Sequence, residues 1–281
     1  MNIGPISGSV LVGDTVVNYA DYQTASERTP IVLLHGTGGS ALRHFGFLAP
    51  MLAAQRRVIA IDFAQPGSGE RAIEVEDFSV QASAVIRQLL PETPAIVCGY
   101  SLGAVTAIDL TARSPELVER LVVVNGWMKS DNQQQLRNRV WTTLRAEDST
   151  ALRSYMTYCG YSQQYLAKIT AAELEVILGR IDITPFLDAQ MDLNRRVDIT
   201  SAAASVVAPT LVVGCTFDQM APVQHSKLLL GAIDDARYTE IAAGHAVVIE
   251  RPAELYRLID RFAAQTRRTT AGIAELQTAS A

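Results

Sequence analysis

Five short apolar runs recur along the chain and constrain its fold more than any other feature. Runs of this kind are typical of strands that are buried on both faces of a parallel sheet. Segments with helical spacing lie between or after them at 78–90, 102–113 and 252–263. Strands that alternate with helices predict an α/β fold, with helices on both faces of a mostly parallel sheet. The runs are IVLLHG (31–36), RVIAID (57–62), AIVCGY (95–100), LVVVNG (121–126) and TLVVGC (210–215).

Two further strand signals lie near the ends of the chain. Residues 9–22 contain two β-prone runs separated by Gly13-Asp14, which predicts a hairpin. Another strand is predicted around residues 236–241, and it adds to the sheet on the C-terminal side.

Residues 128–205 interrupt the alternation of strands and helices. This segment has little strand character and several amphipathic helical stretches. An insertion between two strands would lie over their carboxyl ends, where open α/β sheets bind ligands. We therefore expect a core of residues 1–127 and 206–266 and a helical lid at 128–205. Residues 267–281 are small and polar and are expected to form a flexible tail.

Residues 99–103, GYSLG, match the pattern G-x-S-x-G between a predicted strand and a predicted helix. The pattern is typical of a sharp turn that holds the central serine in a strained conformation, while the glycines avoid collisions. Such a turn exposes the hydroxyl of Ser101. It also directs the amide of Leu102 toward the group that the serine attacks.

Two residues later in the chain are candidates to activate this serine. A serine hydroxyl is a weak nucleophile unless a base accepts its proton and a third group orients that base. Asp218 and His245 each follow a predicted strand at its carboxyl end, as Ser101 does. We expect these residues to converge as nucleophile, acid and base.

The loop after the first buried strand, HGTGG at 35–39, is a candidate oxyanion-binding segment. A tetrahedral intermediate needs backbone N–H donors, and small residues let amides face the site. We predict the amide of Thr37 as one donor and the amide of Leu102 as the other.

Several motifs together resemble those of the α/β-hydrolase superfamily. They are HGTGG, DFAQPGSGE, GYSLGA, GCTFDQMAP and AAGHAVVIERP, within residues 31–252. The similarity is to small lidded members related to enol-lactonases, bacterial esterases and C–C bond hydrolases. It implies an α/β-hydrolase fold with a mostly parallel eight-stranded sheet and a helical lid. The DFAQPGSGE segment departs from the usual Asp-x-Arg-Gly-x-Gly form, and Asp62 is expected to be structural.

The same resemblance separates several reactions by residue type. Haloalkane dehalogenases and epoxide hydrolases use an aspartate nucleophile where this chain has Ser101, which argues against an alkyl-enzyme intermediate. Some relatives place the acid after the strand that here ends in Asn125-Gly126, so Asp218 keeps that role. Cofactor-free dioxygenases of the superfamily can retain a similar triad, so the triad does not exclude that activity.

The substrate is expected to be a mainly apolar small molecule. The lid segment is rich in Tyr, Met and Trp, and Met and Tyr adapt to varied ligands. No arginine clamp for a carboxylate is evident from the sequence, which disfavours a charged substrate. The predicted substrate-binding residues are Gly36, Trp127, Met128, Tyr155 and Tyr158.

The remaining histidines are expected to be structural. His35 is predicted to be hydrogen-bonded, His44 to lie at the surface or the pocket edge, and His225 to be exposed. Glu250 is expected to favour a helix start. No histidine pair has metal-ligand spacing, so neither a metal nor another cofactor is predicted.

Composition narrows the partners. The formal net charge is −5 and no basic run occurs, which argues against nucleic acid. No apolar stretch is long enough to span a bilayer, and no secretory signal is evident, so we expect a cytoplasmic protein. The three cysteines do not form a disulfide framework, and Cys98 and Cys215 are expected to be inert core thiols. The sequence allows a homodimer.

The sequence therefore predicts a serine hydrolase that cleaves a carboxylic ester, lactone or thioester through an acyl-enzyme. A C–C bond hydrolase or lyase, or an acyl-transferring cyclase, would use the same triad. A ligand-binding homologue without catalysis is a third interpretation.

Overall fold

The computed structural model describes residues 4–67 and 71–265. The flexible tail predicted at 267–281, and residue 266 of the predicted core, lie outside the described residues. In the described part, eight strands form one sheet. They are β1 (Ile6–Val12), β2 (Thr15–Tyr22), β3 (Ile31–Leu34), β4 (Val58–Asp62), β5 (Ala95–Tyr100), β6 (Val118–Val124), β7 (Thr210–Cys215) and β8 (Ala236–Ile241).

The strand order across the sheet is β1-β2-β4-β3-β5-β6-β7-β8. β1 and β2 form the predicted hairpin, and β2 also pairs antiparallel with β4. Every other pairing from β4 to β8 is parallel. The predicted α/β fold with a mostly parallel eight-stranded sheet is therefore confirmed.

Helices cover the sheet and fill the segment between β6 and β7. Before β6 the helices are α1 (Ala41–Phe45), α2 (Leu48–Ala53), α3 (Val75–Leu89) and α4 (Leu102–Arg113). Between β6 and β7 they are α5 (Asn132–Ala146), α6 (Ala151–Gly160), α7 (Gln163–Leu166), α8 (Ala171–Gly179), α9 (Pro185–Arg196) and α10 (Thr200–Ala204). After β7 they are α11 (Val223–Ala232), α12 (Val247–Glu250) and α13 (Pro252–Ala264).

Alternate residues of the central strands pack into two separate cores, because successive side chains of a strand point to opposite faces. In β3, Val32 and Leu34 join the core under α3 and α4, which includes Phe78. Ile31 and Leu33 join the other core, under α1, α2 and α13. Since both faces of β3 are covered, its side chains are all apolar.

Two element boundaries differ from the sequence-based prediction. β6 begins at Val118 and ends at Val124, rather than spanning 121–126, because Asn125 adopts a positive φ of 50° that ends the strand. α3 begins at Val75 rather than at residue 78. Its first turn is stabilised by a capping box between Glu74 and Asp77, which apolar spacing alone does not detect.

The segment between β6 and β7 is helical, and we call residues 128–205 the helical insertion. It contains a small apolar cluster of its own, formed by Trp141, Leu152, Leu187 and Met191. Within residues 4–67 and 71–265, no helix is both long and apolar enough to cross a membrane.

Candidate active site

Ser101 lies on the sharp turn between β5 and α4, with φ 58° and ψ −122°. This conformation is strained for a residue with a side chain. A Cβ at Gly99 would lie 2.1 Å from the Gly103 carbonyl oxygen, and one at Gly103 would lie 2.1 Å from the Leu34 carbonyl oxygen. Both glycines of G-x-S-x-G are therefore required by the close approach of backbone segments.

The side chains of Ser101, His245 and Asp218 form a continuous hydrogen-bonded chain. The Ser101 hydroxyl donates to His245 Nε2 at 2.8 Å, and His245 Nδ1 donates to Asp218 Oδ2 at 2.7 Å. This tautomer follows because a carboxylate can only accept. All three residues are buried. The structure thus brings together the three residues that sequence order suggested.

Asp218 is oriented by backbone donors. Its Oδ1 accepts from the amides of Met220 at 2.7 Å and Ala221 at 2.9 Å, which leaves Oδ2 for His245. The side chain of Asp218 is 0% exposed, so water does not compete for the bond to the imidazole.

Two residues that the sequence analysis gave no such role hold the backbone of His245. The Tyr100 hydroxyl donates to the His245 carbonyl at 3.0 Å, and Asn125 Nδ2 donates to the same oxygen at 2.9 Å. Burial raises the pKa of Tyr100 well above its usual value, so the phenol stays protonated as a donor. The sequence signal for these roles was position alone: Tyr100 directly precedes Ser101, and Asn125 directly follows β6.

The amides of the 35–39 loop are unequally engaged. Gly36 N–H donates to His44 Nδ1 at 3.1 Å, Gly38 N–H donates to Gln190 Oε1 at 2.7 Å, and Gly39 N–H donates to the Gly36 carbonyl at 3.1 Å. The Thr37 amide has no acceptor among the described residues. Among the amides of residues 36–39, it is therefore the one that is free in the described structure.

The amide of Leu102 likewise has no acceptor in the described part of the chain. Leu102 is the first residue of α4, and the backbone amides of the first turn have no acceptor within the helix. A Cβ at Gly36 would lie 2.8 Å from Ser101 Cβ, so the loop closely approaches the serine.

His35 and His44 are both held in the neutral form. His35 Nδ1 donates to the Gly36 carbonyl at 2.8 Å, while its Nε2 accepts from the Phe63 amide at 3.0 Å. Burial lowers the pKa of His35, and it lowers the pKa of His44 to about 3. Neutral His44 keeps the Nδ1 lone pair that accepts from Gly36. His44 lines the cavity and therefore lies at the pocket rather than at the surface, the other expected position.

A cavity of about 600 Å³ opens in front of the serine. Three of the predicted substrate-binding residues, Gly36, Trp127 and Tyr155, line it. Met128 and Tyr158 do not, so their predicted positions are corrected. Met128 is half-buried against the core under α3 and α4.

Tyr158 is 64% exposed because of its position around α6. At about 100° per residue, the cavity-lining residues of α6 occupy one side of the helix, and Tyr158 falls on the other. Those lining residues are Tyr155, Met156, Thr157, Cys159 and Gly160.

Two further expectations are corrected by polar contacts. His225 is 4% exposed rather than solvent-facing, with Nε2 3.2 Å from a carboxylate oxygen of Asp131, the N-cap of α5. Burial lowers the pKa of His225. Glu250 accepts from the Ser162 amide at 2.8 Å and hydroxyl at 2.6 Å, and from the Gly244 amide at 3.2 Å. It therefore joins the His245 loop to the helical insertion.

The remaining sequence-based assignments concern the cysteines and Asp62. Cys98 and Cys215 are buried, and burial raises the pKa of both thiols. Asp62 accepts from the Ala41 amide at 2.5 Å, which is a structural contact. Among the described residues, no group of three or more His, Cys, Asp or Glu side chains could hold a metal ion.

The fold and this site define the class of protein. The model of the alpha/beta hydrolase family matches residues 31–258, and the chain belongs to that family. The family assignment confirms the resemblance drawn from the motifs and supports hydrolase activity.

Individual relatives agree with the family. The chain is 30% identical over 260 residues to pyrrolizixenacetamide deacetylase of Xenorhabdus hominickii. The aligned region covers 90% of this chain and 96% of that protein. The fold is similar to that of MGS-M2, an alpha/beta hydrolase from a Medee basin deep-sea metagenome. That match has a TM-score of 0.83 and 19% identity over 94% of this chain and 99% of the other.

A second solved structure with this fold is the enol-lactonase of Burkholderia xenovorans LB400. Its TM-score is 0.79 at 21% identity, over 92% of this chain and 100% of the other. At this level of identity the likeness concerns the fold.

Proposed function

We propose that this protein is a serine hydrolase that cleaves an acyl bond through an acyl-enzyme. The observation that carries the proposal is the hydrogen-bonded chain from Ser101 Oγ to His245 Nε2 at 2.8 Å and from His245 Nδ1 to Asp218 at 2.7 Å. Such a chain supplies a base for the serine and an orienting group for the base.

In the first half of the reaction, Ser101 Oγ attacks the carbonyl carbon of the substrate and its proton passes to His245 Nε2. Asp218 stabilises the imidazolium that forms. The tetrahedral intermediate collapses as its bond to the leaving group breaks, and the leaving group takes the proton from His245. Water then attacks the acyl-enzyme with His245 as base, which releases the acid and restores the serine.

The negative oxygen of each tetrahedral intermediate is proposed to accept from the amides of Thr37 and Leu102. The absence of an acceptor for either amide in the described part of the chain supports this assignment. A preorganised donor of this kind contributes about 100- to 1,000-fold in rate. Trp127 and Tyr155 would contact the substrate, and the helical insertion would serve as the lid of the cavity.

The favoured substrates are carboxylic esters, lactones and thioesters. A second candidate is an amide, because the relative of 30% identity is a deacetylase whose substrate is named as an acetamide. The same triad serves both, since the leaving nitrogen would take its proton from His245 as a leaving oxygen does.

Labelling with a fluorophosphonate probe tests the activation of the serine. We expect the wild-type protein to be labelled and to hydrolyse 4-nitrophenyl butyrate. The variant S101A should not be labelled and should lose on the order of 10⁴-fold or more in kcat. Ser205, an exposed serine on the insertion, provides the control variant S205A, which should behave as wild type.

Comparing 4-nitrophenyl acetate with 4-nitroacetanilide separates esterase from amidase activity. Absence of labelling and of turnover on both substrates would contradict the proposed hydrolase. Cleavage of diketones without any ester or amide hydrolysis would favour a C–C bond hydrolase instead.

A further inference from the structure

Arg137 lies on α5 in the wall of the cavity that contains Ser101. Arg145 and Arg196 of the same insertion pair with carboxylates. Arg137 pairs with none in the described part of the chain. Its Nη2 donates to Asn138 Oδ1 at 3.3 Å, and its Nε is enclosed without any acceptor among the described residues.

This guanidinium is therefore a largely enclosed positive charge. Burial lowers the pKa of Arg137, and the neighbouring Cys159, Tyr155 and Asp218 oppose that effect. An arginine side chain nevertheless stays protonated in proteins. An enclosed charge without a counter-charge is unfavourable, so a site of this kind favours an anion.

Neither Asp182, the carboxylate among the described lining residues, nor the buried Asp218 supplies that counter-charge. Asp182 pairs with Arg43, which also donates to the Arg180 carbonyl at 2.9 Å. Asp218 is occupied by its two backbone donors and by His245. The charged wall of the cavity is therefore positive overall.

The same wall contains two further side chains with unpartnered donor groups. Arg137 and Trp141 lie one turn apart on α5 and both line the cavity, as does Thr157 on the neighbouring α6. The indole Nε1 of Trp141 and the hydroxyl of Thr157 are buried without partners in the described structure. A ligand that brings acceptor oxygens matches this wall better than a purely apolar ligand does.

We propose that Arg137 binds a carboxylate group of the substrate. The inference rests on the proposed hydrolase function and narrows it to esters or amides that carry an anionic group beside an apolar body. The guanidinium offers planar, charged donors that suit a carboxylate. A charged substrate was disfavoured because no arginine clamp for a carboxylate was evident from the sequence. Arg137, in the wall of the cavity, is proposed to be such a clamp.

Two matched ester pairs test the inference and locate the anion. The first pair is the mono-4-nitrophenyl ester of glutaric acid and its methyl ester, which carry the difference on the acyl group. The second pair is 4-(butyryloxy)benzoate and its methyl ester, which carry it on the leaving group. Each pair is measured with wild type, R137M, R137K and the control R139M, because Arg139 is an exposed residue of the same helix.

We expect R137M to lower kcat/KM about 10- to 100-fold for the charged member of at least one pair. Its kcat/KM on the neutral esters should fall clearly less, so that the ratio of kcat/KM between the charged and the neutral member of that pair decreases. R137K should retain part of the preference, and R139M all of it. An equal loss on charged and neutral esters, or an unchanged preference in R137M, would overturn the proposal.

A binding measurement separates this inference from the function on which it rests. Calorimetry with S101A and the glutaric monoester should detect binding, and the double variant S101A/R137M should lose it. Binding through Arg137 without turnover in wild type would leave the carboxylate site standing and remove the hydrolase. Turnover of neutral esters with no effect of R137M would do the reverse.

Discussion

The sheet and the helical insertion are stabilised in different ways. All four residues of β3 are fully buried, and β5 and β7 are buried along their whole lengths. In the insertion, α8 buries Ile177 alone and α7 buries no residue completely. The sheet is thus stabilised by extensive apolar burial, whereas α7 and α8 of the insertion bury few apolar side chains.

Hydrogen bonds between polar groups join the insertion to the sheet domain. Gln190 of α9 accepts from Gly38, and Asn194 of α9 donates to the Thr37 hydroxyl at 2.9 Å. Glu250 connects Ser162 to the His245 loop. The strands of the core thus fix the triad, while the insertion shapes the cavity and also orients the candidate oxyanion loop.

The largest expected difference between the two regions is in stability. L33A should lower the free energy of unfolding by about 2–5 kcal/mol, because it leaves a cavity in a fully buried strand. I177A should lower it less than half as much and should raise KM, since Ile177 lines the cavity. Urea unfolding and ester kinetics measure both effects.

V176A is the matched control, because Val176 is 55% exposed on the same helix. It should change neither stability nor KM. Equal destabilisation by L33A and I177A would show that the insertion is as tightly packed as the sheet.

A smaller effect should follow from breaking the link between α9 and the candidate oxyanion loop. Q190M keeps the length of the side chain but leaves the Gly38 amide without its acceptor, a loss of about 1–3 kcal/mol. We expect kcat on 4-nitrophenyl butyrate to fall about 10-fold with little change in KM, because a displaced loop weakens transition-state binding. Steady-state kinetics give the split.

R195K, an exposed substitution on the same helix, should leave both kinetic constants unchanged. If Q190M lowers thermal stability while kcat stays within twofold, Gln190 only holds the insertion in place. In that case the insertion would affect stability but not the orientation of the candidate oxyanion loop.

The smallest expected effect concerns pH. Because the pKa of His44 falls to about 3 in the folded protein, the unfolded chain binds a proton there first as the pH drops below about 6.5. His44 thus lowers stability by up to ~1.4 kcal/mol per pH unit below that value. The contribution is absent at higher pH.

H44N retains an acceptor for the Gly36 amide and cannot titrate. The free energy of unfolding of H44N should therefore decrease less between pH 7 and pH 5 than that of wild type. Urea unfolding at several pH values measures the slopes, and parallel slopes would contradict a buried neutral His44.

Much of the site was predictable because its residues follow strands. Ser101, Asp218 and His245 follow β5, β7 and β8 within four residues, and parallel strands bring their carboxyl ends to one edge. The turn at residues 99–103 has a local signature because backbone contacts exclude side chains at both glycines. Apolar periodicity likewise located the strands within a few residues.

Which insertion residues reach the cavity could not be predicted in this way. Tyr155 and Tyr158 are the same residue type three positions apart, yet one lines the cavity and the other faces solvent. The distinction depends on how α6 is rotated against its neighbours. The burial of His225 against Asp131 also depends on contacts between segments far apart in the chain.

By itself, the sequence determined the order of the elements, the parallel sheet and the triad candidates, because these follow from apolar burial and local turn chemistry. Only the tertiary structure decided that the Thr37 amide stays free and that Arg137 is enclosed in the cavity wall without a carboxylate partner among the described residues. The Gly38 amide, for example, is engaged by Gln190, which lies 152 residues later in the chain. Long-range polar pairing leaves no periodic signal in the chain.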